Sequence, residues 1–363
     1  MDVYLFPIEV AAATFVVMSM FLTLPYMLIQ YIKYGAVSLF RALILFSFFL
    51  YMLCAYYLTV LPLPDPTTFA PTADIWHYIN LTPFRFVHDI IVSTPLKITD
   101  IRTYLPALQQ PVVYQAIFNV LLNVPFGMYL GYYFKKSLGK TVLFTFLLSL
   151  FFELTQLSGL YWFYPHPYRV FDVDDLITNT LGGFVGFIAY KHCLRFLPSR
   201  DKIDEKNKQS SEKVGYIRRL FAFGIDYLIV LIPMAVLEFT FSLNPLIFNI
   251  VLFAYFIASQ LLFKQTIGKA LVHIRIQPDD AEAKYKPAVV LRYTMLCFVI
   301  SLINVLDYLS ARMDDNLLIY SILTFAVNVF VLVDVLVGLR RGKILLYEKL
   351  SKTRNVSTLK TNG

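Results

Sequence analysis

Residues 171–183 read FDVDDLITNTLGG, and the run continues as FVGFIAY to residue 190. Three carboxylates, Asp172, Asp174 and Asp175, stand where the chain turns apolar. Aspartates ahead of a helix accept from its free N–H groups and meet the positive end of its dipole. Further in, Asp175, Asn179, Gly182 and Gly186 fall at i, i+4, i+7 and i+11, on one face. That face is polar at one end and small at the other, and small residues admit the backbone of a neighbouring helix. The stretch therefore reads as a membrane helix whose polar face turns into a bundle rather than toward lipid.

The rest of the chain sets the class. Of 363 residues, 58% are hydrophobic, 17% aromatic and only 15% charged, more apolar and less charged than soluble domains. Apolar runs of about 18 to 24 residues recur, enough to cross a hydrocarbon core of roughly 30 Å as helices, which satisfy their own backbone in lipid. Such runs lie at 8–32, 39–62, 114–134, 140–160, 174–194, 219–242, 246–263, 288–309 and 317–339. The fold class is all-α, a polytopic transmembrane helical bundle of about nine spans. The first run lacks a basic start and a small-residue cleavage site, so it reads as a retained helix.

The net charge of +8 follows topology, not a nucleic-acid stripe. Basic residues crowd every second loop: Lys33 and Arg41; Lys135, Lys136 and Lys140; Lys191, Arg195, Arg200 and Lys202; Lys264 through Arg292; and Arg340 through Arg354. The positive-inside rule puts the N-terminus outside and the C-terminus in the cytoplasm of a multi-pass cell-membrane protein. The cysteines, Cys54, Cys193 and Cys297, lie in or beside spans, so no disulfide framework is indicated.

The segment SRDKIDEKNKQSSEKV (199–214) has the composition of a solvated, cytoplasmic linker. It separates a module of five spans, 1–198, from one of four, 215–363, and no sequence repeat relates them. Between the second and third spans lies an exported segment too long for a bare connector. Its middle, IWHYINLTPFRFVHDIIV (75–92), is aromatic and amphipathic. It reads either as an interfacial cap with Trp76, His77 and Tyr78 at headgroup level, or as a lid over a binding site.

Polar residues recur on the neighbouring spans. Asn119 and Asn123 lie one turn apart on the third, with Pro125 beyond them and Gly127 and Gly131 as a small pair. Glu153 and Gln156 share a face of the fourth. Under the topology above, Asn119, Asn123, Glu153, Gln156, Asp175 and Asn179 reach one depth in the outer half of the membrane. A mid-helix ionisable group costs roughly 2.5–3.5 kcal/mol, so such groups face a cavity or a partner. Interhelical hydrogen bonding is the other account of the cluster, and helix capping the other account of Asp172 and Asp174. Arg169 is placed to pair with Asp172 or to bind an anionic substrate group.

The stretches YLTVLPL (57–63), NLTPF (80–84), NVLLNVPFGMYLG (119–131), FFELTQL (151–157) and RVFDVDDLITNTLGG (169–183) together resemble the VanZ-like membrane family. The resemblance implies a helical protein of the bacterial envelope, in a family named for an association with glycopeptide-antibiotic resistance. Its characteristic polar positions match Asn80, Pro83, Asn123, Pro125, Glu153, Gln156, Arg169, Asp172, Asp175 and Asn179.

The second module opens with RRLFAFGIDYLIV (218–230), placing Arg218 and Arg219 at the inner edge and Asp226 about two turns inside. Asp334 and Arg292 should reach a similar depth. These form either an inward polar network or a structural ion pair stapling helices. With QTIGKALVHIRI (265–276) and LLYEKLSKTRNV (345–356), the module resembles the RDD family of bacterial membrane domains. Arg218 or Arg219 and Asp226 match its named arginine and first aspartate. Where the family shows His-Asp, this chain has Tyr347-Glu348, which keeps the charge on a longer arm.

Three functions are consistent with these residues. The first is envelope resistance or maintenance, an outward-facing pocket of Asn80, Asn119, Asn123, Glu153, Gln156, Arg169, Asp172, Asp175 and Asn179 binding a membrane lipid, a lipid-linked cell-wall precursor or a lipoglycopeptide. The second is a lipid-headgroup enzyme, with Glu153 and Asp175 as acid and base, or Asp172, Asp174 and Asp175 holding a divalent ion through oxygen. The third is ion- or proton-coupled transport, with Asp226 and Asp334 of the inner polar cluster (Arg218, Arg219, Asp226, Arg292, Asp334 and Glu348) carrying protons or cations. The sequence names no cofactor.

Overall fold

The structure is a computed structural model and describes residues 2–65, 74–241, 246–279, 284–310, 317–340 and 344–359. Helices occupy all nine of the expected positions: α1 (Asp2–Tyr34), α2 (Leu39–Val60), α3 (Pro111–Tyr132), α4 (Leu138–Leu157), α5 (Val173–Cys193), α6 (Tyr216–Phe241), α7 (Ile247–Phe263), α8 (Tyr285–Ser310) and α9 (Leu317–Arg340). Among the described residues seven helices, all but α5 and α7, are long and apolar enough to cross a membrane by length and composition. The acids, amides and glycines of α5 dilute its apolar share, and α7 has 17 residues. The chain is a multi-pass helical membrane protein.

Two compact units share the chain: one runs up to Thr23 and resumes at Ser38–Ile203, the other takes Leu24–Val37 and everything from Asp204. In the first unit, α3 and α5 touch backbone to backbone. A Cβ on Gly127 would enter the carbonyl of Gly183, and one on Gly182 would enter that of Val120. The small-residue stripes seen in the sequence are thus the surfaces on which these helices close. Helix α4 packs beside α5 through a buried stripe, Thr141, Thr145, Ser149, Phe152, Glu153 and Gln156, spaced by helical turns.

The described part of the segment between α2 and α3 is ordered around α5. Ile79–Asn80 (β1) pairs in parallel with Phe171–Asp172 (β2), Asn80 standing opposite Asp172. A short helix, Arg85–Ser93, follows; Val87, Ile91 and Val92 on it are exposed. The charged segment expected as a solvated linker carries a helix, Arg200–Ser211. Its start is tied down within the first unit: Lys135 pairs with Asp201 at 2.6 Å and Ile203 packs with Ile44 and Tyr133.

In the second unit, the final residues of α1 are closed by Gly35 in the left-handed conformation, its N–H returning to Tyr31. Tyr31 joins a core with Val214, Ala222, Val272 and Ile274. A second core stacks Phe223 on Phe256 and Phe256 on Tyr293, ring centroids 6.1 and 4.9 Å apart. An antiparallel ribbon adds to the helices, Ile274–Pro278 (β3) against Thr353–Ser357 (β4). Ile274 and Ile276 are buried while Arg275 and Gln277 are exposed, the two-residue alternation of a strand with one covered face.

Candidate functional site

The polar face of α5 begins outside its first turn. Asp172 is the N-cap, accepting the Asp174 N–H at 2.8 Å, and its other oxygen takes the Asn80 amide at 3.0 Å. Asp174 serves a different helix: its oxygens accept the N–H groups of Phe84 and Phe86 at 2.6 and 2.8 Å. Phe84 precedes the helix Arg85–Ser93 in the left-handed conformation and offers no capping side chain, so Asp174 caps that helix from a distance. Asp175 accepts from the Asn119 side chain.

Deeper, the amides chain together. Asn123 donates to Asn179 at 2.7 Å, and Asn179 donates to the Ser149 hydroxyl at 2.9 Å. Three helices are tied by this relay, and all three residues are buried. Glu153, also buried, accepts the Asp172 N–H at 3.0 Å. Ser149 was not singled out in the sequence. The signal was present in the spacing of Thr141, Thr145, Ser149 and Glu153, four residues apart along α4.

Arg169 does not pair with Asp172. Its guanidinium donates to the main-chain oxygens of Thr59 and Leu61 at 2.9 and 3.0 Å, and Gln156 donates to the same Thr59 oxygen at 2.8 Å. The end of α2 leaves carbonyls without helical partners, and these two side chains satisfy them. Beside them Tyr168 leans on the Val60 carbonyl, and burial pushes its phenol up to about 12.

A cavity of about 310 Å³ opens at the mouth of α5, between it, the start of α3 and the helix Arg85–Ser93. Asn80, Asp172, Asp174 and Asp175 line it together with Gln115, Thr178, Arg85 and Asp89. Of the residues grouped from sequence as one pocket, Asn119, Asn123, Glu153, Gln156, Arg169 and Asn179 lie behind this lining, held in the hydrogen bonds above. Four carboxylates against one arginine make the cavity acidic. Among the described residues no three His, Cys, Asp or Glu side chains are arranged to hold a metal ion. Both oxygens of Asp174 and of Asp172 are already committed to N–H donors.

The expected inner cluster separates into four arrangements. Glu348 takes Arg219 on one oxygen and Arg292 on the other, both at 2.7 Å, in a buried ion triad. Asp226 sits apart with neutral donors, Thr266 Oγ1, Tyr255 Oη and the Gly268 N–H, all within 2.7 Å. Arg218 spreads over the carbonyls of Ser211, Val272 and His273. Asp334 accepts the Leu346 N–H at 3.1 Å.

Compared with protein families, residues 48–197 match the VanZ/LLP1 family and residues 213–343 match the RDD family. The chain joins a VanZ-like domain to an RDD domain. No curated protein and no solved structure matches it. The VanZ-like match contains the whole acidic cavity and the amide relay behind it. The RDD match contains Arg218, Arg219, Asp226, Arg292 and Asp334, but stops before Tyr347-Glu348. Glu348, beyond the matched residues, reaches both Arg219 and Arg292. The two families mark a membrane protein of the envelope type.

Proposed function

We propose that the VanZ-like domain receives, at the acidic mouth of α5, the hydrogen-bonding headgroup of a lipid-like or cell-wall-related amphiphile. Through that binding the protein contributes to resistance toward teicoplanin-type glycopeptides or to envelope maintenance. One observation carries this reading. The 310 Å³ cavity carries four carboxylates in its lining, and the helix Arg85–Ser93 along its edge keeps Val87, Ile91 and Val92 exposed. An acidic hollow beside an apolar lip suits a molecule with a polar head and an acyl tail.

The chemistry of the lining favours a head rich in donors. Asp175 lines the hollow with a single Asn119 amide as its side-chain partner, and Asn80 and Gln115 add neutral groups. On this reading the cavity faces the exterior, with the C-terminus in the cytoplasm, the orientation that the basic loops support.

The test is copurification. The full chain, extracted in mild detergent from bacteria grown with and without teicoplanin, is assayed by mass spectrometry for retained amphiphiles. Wild type should retain a species that Ala116→Trp, which fills the cavity, releases. Identical retention by both would count against the site, provided their melting temperatures agree.

A further inference from the structure

The RDD domain holds a larger and differently made cavity, of about 810 Å³, between α6, α8, α9 and the segment that follows α9. One wall is apolar, built from Phe223, Leu296, Ile300, Ile303, Phe330 and Val331. Its other end is cationic, formed by Arg219, Lys269 and Arg292, with Asp334 the carboxylate of the lining. The lining itself carries these three cations against the one carboxylate; behind it Glu348 neutralises part of the arginine pair, and Asp226 acts on Lys269.

Lys269 is the informative member of that set. Its ammonium donates to a neutral acceptor, Tyr293 Oη at 2.7 Å, and lies over the same ring. An ammonium has three donors, and this bond uses one. A bilayer offers acyl chains to any apolar groove that opens on it, and an unfilled groove forfeits dispersion contacts. Basic pockets between membrane helices are where anionic headgroups settle.

We propose that this cavity is a site for an anionic phospholipid. The acyl chain lies along the wall of α6, α8 and α9, and the phosphate sits at Lys269 beside the Arg219–Glu348–Arg292 triad. The site is distinct from the acidic cavity of the VanZ-like domain, and the two differ in sign: that lining selects against an anion, this one for it.

The experiment uses the full chain in an uncharged detergent, titrated with dioleoylphosphatidylglycerol, dioleoylphosphatidylcholine or glycerol 3-phosphate, with bound species read by native mass spectrometry. Phosphatidylglycerol should be retained where phosphatidylcholine and glycerol 3-phosphate are not. Lys269→Met should weaken that retention about fivefold or more. Ile300→Trp, which blocks the apolar wall and leaves Lys269 in place, should weaken it too, so the proposal stays testable if either variant fails to fold. Equal retention of the two lipids by wild type would overturn it. So would retention unchanged in both folded variants. Glycerol 3-phosphate binding as tightly as the lipid would also overturn it, in favour of a soluble anion.

Discussion

Asp174 accepts the N–H of Phe84 at 2.6 Å across 90 residues of sequence, so the first turn of α5 holds the start of the helix Arg85–Ser93. Replacing Asp174 with alanine leaves the N–H groups of Phe84 and Phe86 without this acceptor. The expected cost is about 1–3 kcal/mol of local stability. Hydrogen–deuterium exchange should rise sharply over residues 84–93 and little in α3 or α4. Asp174→Asn, which keeps one acceptor, should fall between.

The α3–α5 contact depends on the absence of side chains. Gly182→Leu drives a side chain into the Val120 carbonyl, which lies in backbone that cannot yield. Overpacking of this kind costs about 1–3 kcal/mol or more. The melting temperature in detergent should drop and the Asn123–Asn179 relay should be lost. Gly139→Ala, a position with open space around it, should leave the melting temperature unchanged.

Glu348 is the common partner of Arg219 and Arg292, and it is buried. Glu348→Gln leaves two guanidinium groups without their carboxylate, a loss of about 3–5 kcal/mol for breaking a buried pair. Trypsin should then cleave after Lys349 or Lys352 many times faster than in wild type. Glu348→Asp, whose shorter arm cannot reach both arginines at once, should show an intermediate rate.

Burial of Lys269, and next the charge of Arg292, hold its amine down at about 8. An unfolded lysine titrates near 10.4. Between these values the unfolded chain binds the extra proton, so stability falls as pH drops from about 10.4 to 8 and is level below. Melting curves from pH 7.5 to 10.5 should show wild type gaining on Lys269→Met as pH rises. Added phosphatidylglycerol should flatten that gain, because a bound phosphate restores the charged amine.

Much of this was legible in the sequence for a physical reason. Lipid demands about 20 apolar residues per helix, and a polar residue inside such a run is conspicuous. The α5 stripe of Asp175, Asn179, Gly182 and Gly186 predicted the face that meets α3, even though α5 is not itself apolar enough to be picked by hydropathy. What escaped was long-range pairing. Nothing local says that Arg169 seeks the end of α2, that Asp174 caps a helix 90 residues away, or that Ile274–Pro278 finds Thr353–Ser357. Such contacts are set by tertiary closure, not by periodicity. The helix at Arg200–Ser211 escaped because its order comes from anchoring contacts such as Lys135–Asp201.

The central claim is that the acidic cavity of the VanZ-like domain opens to the exterior and takes a ligand there. A cysteine at Gln115, on the cavity lining, tests it in a chain whose Cys54, Cys193 and Cys297 have been replaced. In intact cells the Gln115→Cys side chain should react with a membrane-impermeant maleimide and be protected when teicoplanin is added. Reaction only after the cells are permeabilised, with no protection by teicoplanin, would contradict it.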